Sequence, residues 1–209
     1  MSPSLEILSL GPIIPVITLD KAEDALPLAD ALAEGGIKTM EVTLRTPAAL
    51  DAIRLLAKER DHMVIGAGTI TTPDAFSKVK KAGAQFIISP GVTEALLVAG
   101  KKCGVPYIPG ISTTSDALLA INHGFECLKF FPAGLAGGTP MLKSFGTLFS
   151  NLKFCPTGGI DQKNMNEYLG LPNVVCVGGS WIVPVKAIRE GQWGEITKLV
   201  KAALSAVIK

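Results

Sequence analysis

The sequence predicts a single α/β domain over residues 1–209, built as an eight-stranded (β/α)8 TIM barrel. Short apolar runs alternate with helical segments from near the start of the chain to its end. Hydrophobic residues make up 48% of the chain and charged residues 18%, a balance that suits parallel strands buried on both faces. Eight strand–helix units in a chain of this length match the smallest usual barrel of this class.

The predicted strands are apolar runs of four to six residues that recur roughly every two dozen residues. In order they are Ile13–Thr18, Thr39–Leu44, Met63–Gly68, Phe86–Pro90, Tyr107–Gly110, Cys127–Pro132, Lys153–Gly158 and Val174–Gly179. Helical spacing marks the segments Lys21–Glu34, Ala48–Arg60, Pro73–Ala82, Glu94–Cys103 and Glu195–Ile208, and a short helix is expected within the first dozen residues. Repeated strand–helix units imply parallel strands joined by right-handed crossovers.

An open doubly wound sheet is the alternative architecture for the same alternation of strands and helices. That fold usually carries G-x-G-x-x-G directly after its first strand, whereas this chain has Thr18-Leu19-Asp20 there. The barrel is therefore the favoured prediction.

Composition and charge exclude several classes of function. The net charge is +2 and no block of lysine or arginine stands out, so neither a nucleic-acid nor a membrane partner is expected. Cys103, Cys127, Cys155 and Cys176 form no C-x-x-C pair, and the two histidines have no carboxylate cluster beside them, so no metal site is expected. The amino terminus lacks the pattern of a signal peptide. We expect a reduced, cytoplasmic protein.

Lys129 stands inside an apolar strand, Cys127-Leu128-Lys129-Phe130-Phe131-Pro132. A lysine pointing outward from this strand would be trapped beneath a helix, where an unpaired charge is costly. A lysine pointing inward has a chemical use, because burial disfavours the ammonium ion and a neutral amine attacks ketones. The strand therefore predicts a Schiff-base lysine, with a purely structural lysine–carboxylate pair as the open alternative.

The second strand offers a carboxylate for the same interior. Glu41, Thr43 and Arg45 are two residues apart and so share one face of the strand. A carboxylate inside the barrel near an amine is a candidate general acid and base. An arginine at the rim can bind a substrate carboxylate or phosphate through two parallel hydrogen bonds. A glutamate–arginine ion pair that serves stability alone is the alternative.

Small residues and hydroxyls end three further strands. The third strand ends in Gly66-Ala67-Gly68-Thr69, and the last two end in Thr157-Gly158-Gly159 and Gly178-Gly179-Ser180. Paired glycines after the last two strands expose backbone N–H groups at the usual phosphate position of this fold. Glycines at strand ends can equally serve close packing.

Seven segments, in order from about Ile14 to the carboxyl terminus, resemble the 2-keto-3-deoxy-6-phosphogluconate (KDPG) aldolase family, the class I aldolases of the Entner–Doudoroff pathway. The segments are Glu41–Thr46, Gly66–Thr69, Ile88–Gly91, Ile108–Thr113, Lys129–Pro132, Cys155–Ile160 and Gly178–Trp181. The chain departs from the family pattern at Gly134, where an acidic residue is expected after Phe-Pro-Ala.

The resemblance implies cleavage of KDPG to pyruvate and D-glyceraldehyde 3-phosphate, without a cofactor, in a homotrimer, and often cleavage of 4-hydroxy-2-oxoglutarate as well. It places the Schiff base on Lys129 and the proton shuttle on Glu41. It assigns the pyruvyl pocket to Arg45, Thr69, Pro90, Phe131 and Thr157, and the phosphate end to Gly159, Gly179 and Ser180. The partner it implies is a small phosphorylated keto acid.

Two other functions stay open on sequence grounds. A metal-free phosphosugar epimerase or isomerase on the same barrel would use paired carboxylates and no obligatory amine. An inactive barrel would only bind phosphate compounds or serve as a scaffold. The fold does not rank phosphogluconate, phosphogalactonate and hydroxy-oxoglutarate substrates.

Overall fold

Strands and helices alternate along residues 1–208, the part of the chain that the computed structural model describes. The strands are β1 (Ile13–Ile17), β2 (Thr39–Thr43), β3 (Val64–Gly68), β4 (Phe86–Ile88), β5 (Tyr107–Ile108), β6 (Gly110–Ile111), β7 (Cys127–Phe130), β8 (Lys153–Pro156) and β9 (Val177–Gly179). The helices are α1 (Pro3–Leu8), α2 (Ala25–Gly35), α3 (Ala49–Glu59), α4 (Pro73–Ala82), α5 (Glu94–Cys103), α6 (Thr114–Asn122), α7 (Gly138–Leu148), α8 (Met165–Leu169), α9 (Val185–Arg189) and α10 (Trp193–Ser205).

Local signals account for most of these bounds. Helices α4 and α5 begin and end where the sequence predicts, and Gly83 and Gly104 follow them with φ angles of 96° and 72°, a left-handed conformation that glycine adopts without strain. Helix α2 begins later than predicted, because residues 22–24 form a 3-10 turn. Asp20, just before this turn, accepts a hydrogen bond from Arg189 Nε at 2.6 Å.

The strands form two parallel sheets. One sheet has the order β5-β4-β3-β2-β1-β9 and the other has the order β6-β7-β8. All five residues of β1 and all five of β2 are buried, as expected for a parallel sheet covered on both faces. The predicted parallel α/β class is therefore confirmed.

The hydrogen bonding differs from the single closed barrel that the sequence predicts. Pro109 separates β5 from β6 and has no N–H to donate, while the N–H of Gly110 donates to the Ser89 side chain. On the other side, only isolated parallel bridges join the β8 segment to the β9 segment, at Phe154–Val174 and Thr157–Gly178. We call these two interruptions of the strand-to-strand hydrogen bonding seams. They divide the strands into an open sheet of six and a sheet of three.

A compact apolar cluster lies on the concave side of the strands, separate from the larger core beneath the helices. It contains Leu8, Ile14, Phe86, Ile88, Ile108, Cys127, Cys155 and Cys176. Successive side chains of a strand point to opposite faces, so the cluster residues Ile88, Cys127 and Cys155 share a face with the predicted site residues Pro90, Lys129 and Thr157, two positions further along. The site residues therefore extend this interior toward the carboxyl ends of the strands. Among residues 1–208, no helix has the length and apolarity to cross a membrane.

Candidate active site

Lys129 and Glu41 meet inside the interior formed by the two sheets. The Nζ atom of Lys129 lies 3.4 Å from Oε1 of Glu41, and the two residues are 4% and 1% exposed. Lys129 belongs to β7 in one sheet and Glu41 to β2 in the other. The sequence favours an inward orientation for Lys129 and offers Glu41 for the same interior, and both side chains point inward in the structure. Arg45 takes part in no salt bridge among the described residues, so the partner of the Glu41 carboxylate is the amine.

Gly68 provides the space for the Glu41 carboxylate. Gly66 of β3 pairs with Glu41 of β2, and Gly68 is two residues further along β3. A Cβ atom at Gly68 would overlap the carboxylate of Glu41. The glycines of β3, open to two explanations from sequence, therefore have a packing role that directly shapes the site.

Phe131 links this buried pair to the mouth of the site. Its ring centroid lies 5.2 Å from Nζ of Lys129, within the range of a cation–π contact. The same residue lines a cavity of about 200 Å³ at the carboxyl ends of the strands.

That cavity brings together six of the ten predicted site residues. Its lining consists of Val16, Arg45, Phe131, Thr157, Gly158, Gly159, Ile160, Gly179 and Ser180. Arg45 and Ser180 are exposed at the rim, whereas Thr157 is 5% exposed. A Cβ atom at Gly178 would overlap the Thr157 side chain, so this glycine makes room for the threonine as Gly68 does for Glu41.

The glycine-rich turns after β8 and β9 are held in place by hydrogen bonds and by one aromatic ring. Gly158 and Gly159 have φ angles of 95° and 76°, which strongly favour glycine. The N–H of Gly134 donates to the Gly158 carbonyl at 2.9 Å. A Cβ atom at Gly179 would overlap the ring of Trp181, so the indole packs directly against this turn.

Thr69 and Pro90 follow β3 and β4 at the same edge but do not line this cavity. Thr69 has a φ of 60°, an unusual conformation for a β-branched residue. Such outliers occur preferentially at functional sites, where the surrounding structure offsets their strain.

Three further polar residues lie beside the site, and sequence reasoning gave none of them a role there. Thr43 is fully buried, donates to the Ile17 carbonyl at 2.7 Å and lies 3.2 Å from the Thr18 hydroxyl. Ser89 and Tyr107 are buried beside the Pro90 turn, with their hydroxyl oxygens 2.7 Å apart. Parity along β2 indicated that Thr43 faces inward, but Ser89 and Tyr107 belong to different strands and no local signal connects them.

A buried amine paired with a buried carboxylate between parallel strands, beside a cavity at the carboxyl ends of those strands, is the arrangement expected of an imine-forming α/β enzyme. The family model described as KDPG and KHG aldolase matches residues 5–199. The chain therefore belongs to the KDPG and KHG aldolase family, and it is a carbon–carbon lyase.

Individual relatives agree with the family model. The KHG/KDPG aldolase of Escherichia coli is 48% identical over 198 residues, which cover 95% of this chain and 93% of that protein. The 2-dehydro-3-deoxy-phosphogluconate aldolase of Pseudomonas aeruginosa is 46% identical over 192 residues, which cover 92% of this chain and 87% of that protein.

Two solved structures show the same fold. The KDPG aldolase of Legionella pneumophila, with pyruvate captured at low pH as a covalent carbinolamine intermediate, superimposes with a TM-score of 0.95, 51% identity and 98% coverage of both chains. The enzyme of Zymomonas mobilis, solved with 3-phosphoglycerate, has a TM-score of 0.90, 38% identity and 98% coverage of both chains.

Proposed function

We propose that this chain cleaves KDPG to pyruvate and D-glyceraldehyde 3-phosphate through a Schiff base on Lys129, with 4-hydroxy-2-oxoglutarate as a second substrate. The observation that carries the proposal is the buried amine of Lys129, 3.4 Å from the Glu41 carboxylate. Among the described residues, Lys129 is the only buried lysine. The Legionella relative supports it, because a carbinolamine with pyruvate is the adduct that an amine forms with a ketone.

The reaction follows from these two groups. The neutral amine of Lys129 adds to the C2 ketone of the substrate, and Glu41 transfers protons as the carbinolamine loses water to give an iminium ion. The iminium withdraws electrons, so the C3–C4 bond breaks as Glu41 takes the proton of the C4 hydroxyl, which leaves an enamine and releases the aldehyde. Protonation of the enamine at C3 and hydrolysis of the imine then release pyruvate. None of these steps needs a cofactor.

The cavity residues supply the binding contacts in this proposal. Arg45 and Thr157 bind the anionic carboxylate of the pyruvyl part, and Phe131, Thr69 and Pro90 border it. Gly159, Gly179 and Ser180 bind the phosphate. The two left-handed glycines at the end of β8 support this assignment, because such turns can direct backbone N–H groups toward an anion.

The site geometry argues against an epimerase or isomerase. Such an enzyme would use paired carboxylates, whereas the buried partner of Glu41 is an amine. A comparison of kcat/KM for KDPG, its galactonate epimer and 4-hydroxy-2-oxoglutarate tests the proposal. We expect KDPG to have the highest value, and absence of turnover of all three substrates would refute it.

The proposed architecture is one closed (β/α)8 barrel that forms a single domain. Residues 107–108 and 110–111 are two halves of one strand interrupted at Pro109, which reduces nine strand segments to eight strands. The bridges at Phe154–Val174 and Thr157–Gly178 support closure between β8 and β9. A cooperative, single thermal unfolding transition is the expected behaviour of such a domain.

We also place the chain in a homotrimer in the cytoplasm. An apolar surface supports self-association: Leu118 and Leu148 are 51% and 61% exposed, and Leu148 borders a cavity of about 300 Å³ with Ile121, Phe125 and Phe149. The four cysteines are all free thiols, as is usual in a reducing compartment. Light scattering should give a trimer mass that Leu148→Glu reduces and Leu135→Glu, at another exposed leucine, leaves unchanged.

A further inference from the structure

The hydroxyl of Ser89 is a fully buried junction of three hydrogen bonds. Its Oγ accepts the N–H of Gly110 at 3.2 Å and lies 2.7 Å from both the Gly91 carbonyl oxygen and the Tyr107 hydroxyl. Because a carbonyl can only accept, Ser89 donates to Gly91 and the Tyr107 hydroxyl donates to Ser89. Each of the three hydrogen bonds at Ser89 Oγ therefore has a defined donor and a defined acceptor.

This junction occupies the seam between the two sheets. Strand β4 pairs with β5 as far as Ile88 and Ile108, whereas Gly110 pairs with Lys129 of β7. Beyond Pro109, the Gly110 N–H therefore bonds to the Ser89 side chain where a backbone carbonyl of β4 would accept it in a regular ladder.

The turn after β4, residues 89–91, packs directly against β6. A Cβ atom at Gly110 would overlap the backbone of residues 89–91, so no side chain separates the two segments. The same Gly110 lies beside Lys129 in register, and the N–H of Lys129 donates to the Pro109 carbonyl at 2.9 Å. The position of the Pro90 turn is thus coupled to the strand that carries the amine.

Tyr107 is held rigidly behind this junction. Its ring meets Phe76 edge-on at 4.9 Å and Phe125 edge-on at 5.3 Å, an arrangement that favours one ring orientation. Burial raises the pKa of Tyr107 to about 12, with the Ser89 hydrogen bond acting in the opposite direction. The hydroxyl therefore stays protonated and remains a donor at neutral pH.

We propose that Ser89 and Tyr107 are positioning residues of the aldolase site, which hold the Pro90 turn against β6 and so set the place of the pyruvyl group relative to Lys129. Neither side chain touches the substrate. This inference rests on the proposed function, in which Pro90 borders the pyruvyl part. Since KDPG and 4-hydroxy-2-oxoglutarate share that part, a loosened turn affects both substrates alike.

Three variants test the inference: Ser89→Ala, Tyr107→Phe and the control Thr197→Val. Thr197 is 5% exposed and donates to the Ala31 carbonyl at 3.0 Å between α10 and α2, so its variant also loses one buried hydroxyl. Each protein is compared by thermal melting, by kcat and KM for both substrates, and by the rate of inactivation with pyruvate and borohydride.

We expect Ser89→Ala to raise KM for both substrates by the same factor, about threefold to tenfold for one lost hydrogen bond. The rate of inactivation by borohydride at a low pyruvate concentration should fall by a similar factor. Tyr107→Phe, which keeps the ring packing, should change the same quantities in the same direction, whereas Thr197→Val should lower only the melting temperature.

Wild-type KM and trapping rates in both site variants would overturn the positioning role, as would a change confined to one substrate. If Ser89→Ala does not fold, Tyr107→Phe alone is decisive. Wild-type KM values and inactivation rates in folded Tyr107→Phe would then overturn the positioning role. If the wild-type protein cleaves neither substrate and is not inactivated by pyruvate and borohydride, the proposed function itself is refuted.

Discussion

The amine of Lys129 lies 3.4 Å from the carboxylate of Glu41, although 88 positions separate the two residues in the chain. The pair spans the two sheets and is almost fully buried. Each group gives the other a partner in an interior where an isolated charge would be costly. In the proposed reaction, the same contact places the carboxylate where it can move protons at the carbon that the amine attacks. One geometry therefore serves both stability and the proposed chemistry, and variants of the two residues separate these contributions.

Pyruvate and borohydride should label Lys129. The reduced imine is a stable adduct that peptide mass mapping locates on one residue. Lys129→Ala should lose activity by several orders of magnitude, because no amine remains to form the imine. Lys143→Ala, which removes an exposed lysine on α7, is the matched control and should keep full activity. Labelling at another lysine would refute the assignment.

Glu41→Gln should lower kcat by roughly 10²–10⁴, the usual contribution of a general acid and base, with folding retained. Exchange of the pyruvate methyl protons with solvent deuterium should slow as well, since enamine formation uses the same group. NMR measures this exchange and a thermal melt measures stability. A less stable variant with wild-type exchange per folded molecule would show that Glu41 acts only as an ion-pair partner.

Gly68→Ala should reduce activity by about ten- to a hundredfold, because a displaced general base loses alignment with the reacting carbon. Its added methyl group would overlap the Glu41 carboxylate and force that side chain to move. The control is Gly194→Ala on α10, where a Cβ meets no atom within 4 Å. Steady-state kinetics of both variants, with their melting curves, measure the effect. Wild-type kcat in Gly68→Ala would contradict the role of Gly68 as the space for Glu41.

Ser180→Ala should raise KM for KDPG more than KM for 4-hydroxy-2-oxoglutarate, which has no phosphate. The lost hydrogen bond to a charged group is worth about 1.5–3 kcal/mol, so the difference should exceed tenfold. Ser180 is exposed on the cavity rim, and the substitution should leave the melting temperature unchanged. Equal changes for the two substrates would mean that Ser180 does not bind the phosphate.

Asp116 should make the stability of the fold depend on acid pH. Burial acts to raise the pKa of Asp116, but hydrogen bonds from Ser112 and Thr113 outweigh burial and hold that pKa below its ordinary value. Its Oδ2 accepts the N–H groups of Ser112 at 3.0 Å and Thr113 at 2.9 Å, in a capping box at the start of α6.

A carboxyl group with a lowered pKa in the folded state stabilises the fold above its unfolded pKa and loses this contribution as pH falls through the folded value. Asp116→Ala should therefore cost about 1 kcal/mol at pH 7. The difference from wild type should shrink below about pH 4. Thermal melts from pH 7 to pH 2 measure it, and a difference that stays constant with pH would contradict this origin.

The sequence by itself determined the alternation of strands and helices and the direction of the key side chains. Apolar spacing and the glycines that end helices act over a few residues, which is why α4 and α5 begin and end where predicted. The period of two along a strand is equally local, so the face that Glu41 shares with Arg45 could be predicted from the sequence. The apolar neighbours of Lys129 likewise favoured an inward orientation for its amine. The seven matched segments then identified the family.

Only the tertiary structure decided how those strands meet. The seam at Pro109, the space that Gly68 leaves for Glu41 and the Ser89–Tyr107 hydrogen bond all depend on the relative stagger and curvature of strands distant in sequence. Parity specifies which face a side chain occupies, but it contains no information on the register between strands. The contact between Lys129 and Glu41 is of the same kind, because packing of the whole sheet sets the distance between β2 and β7.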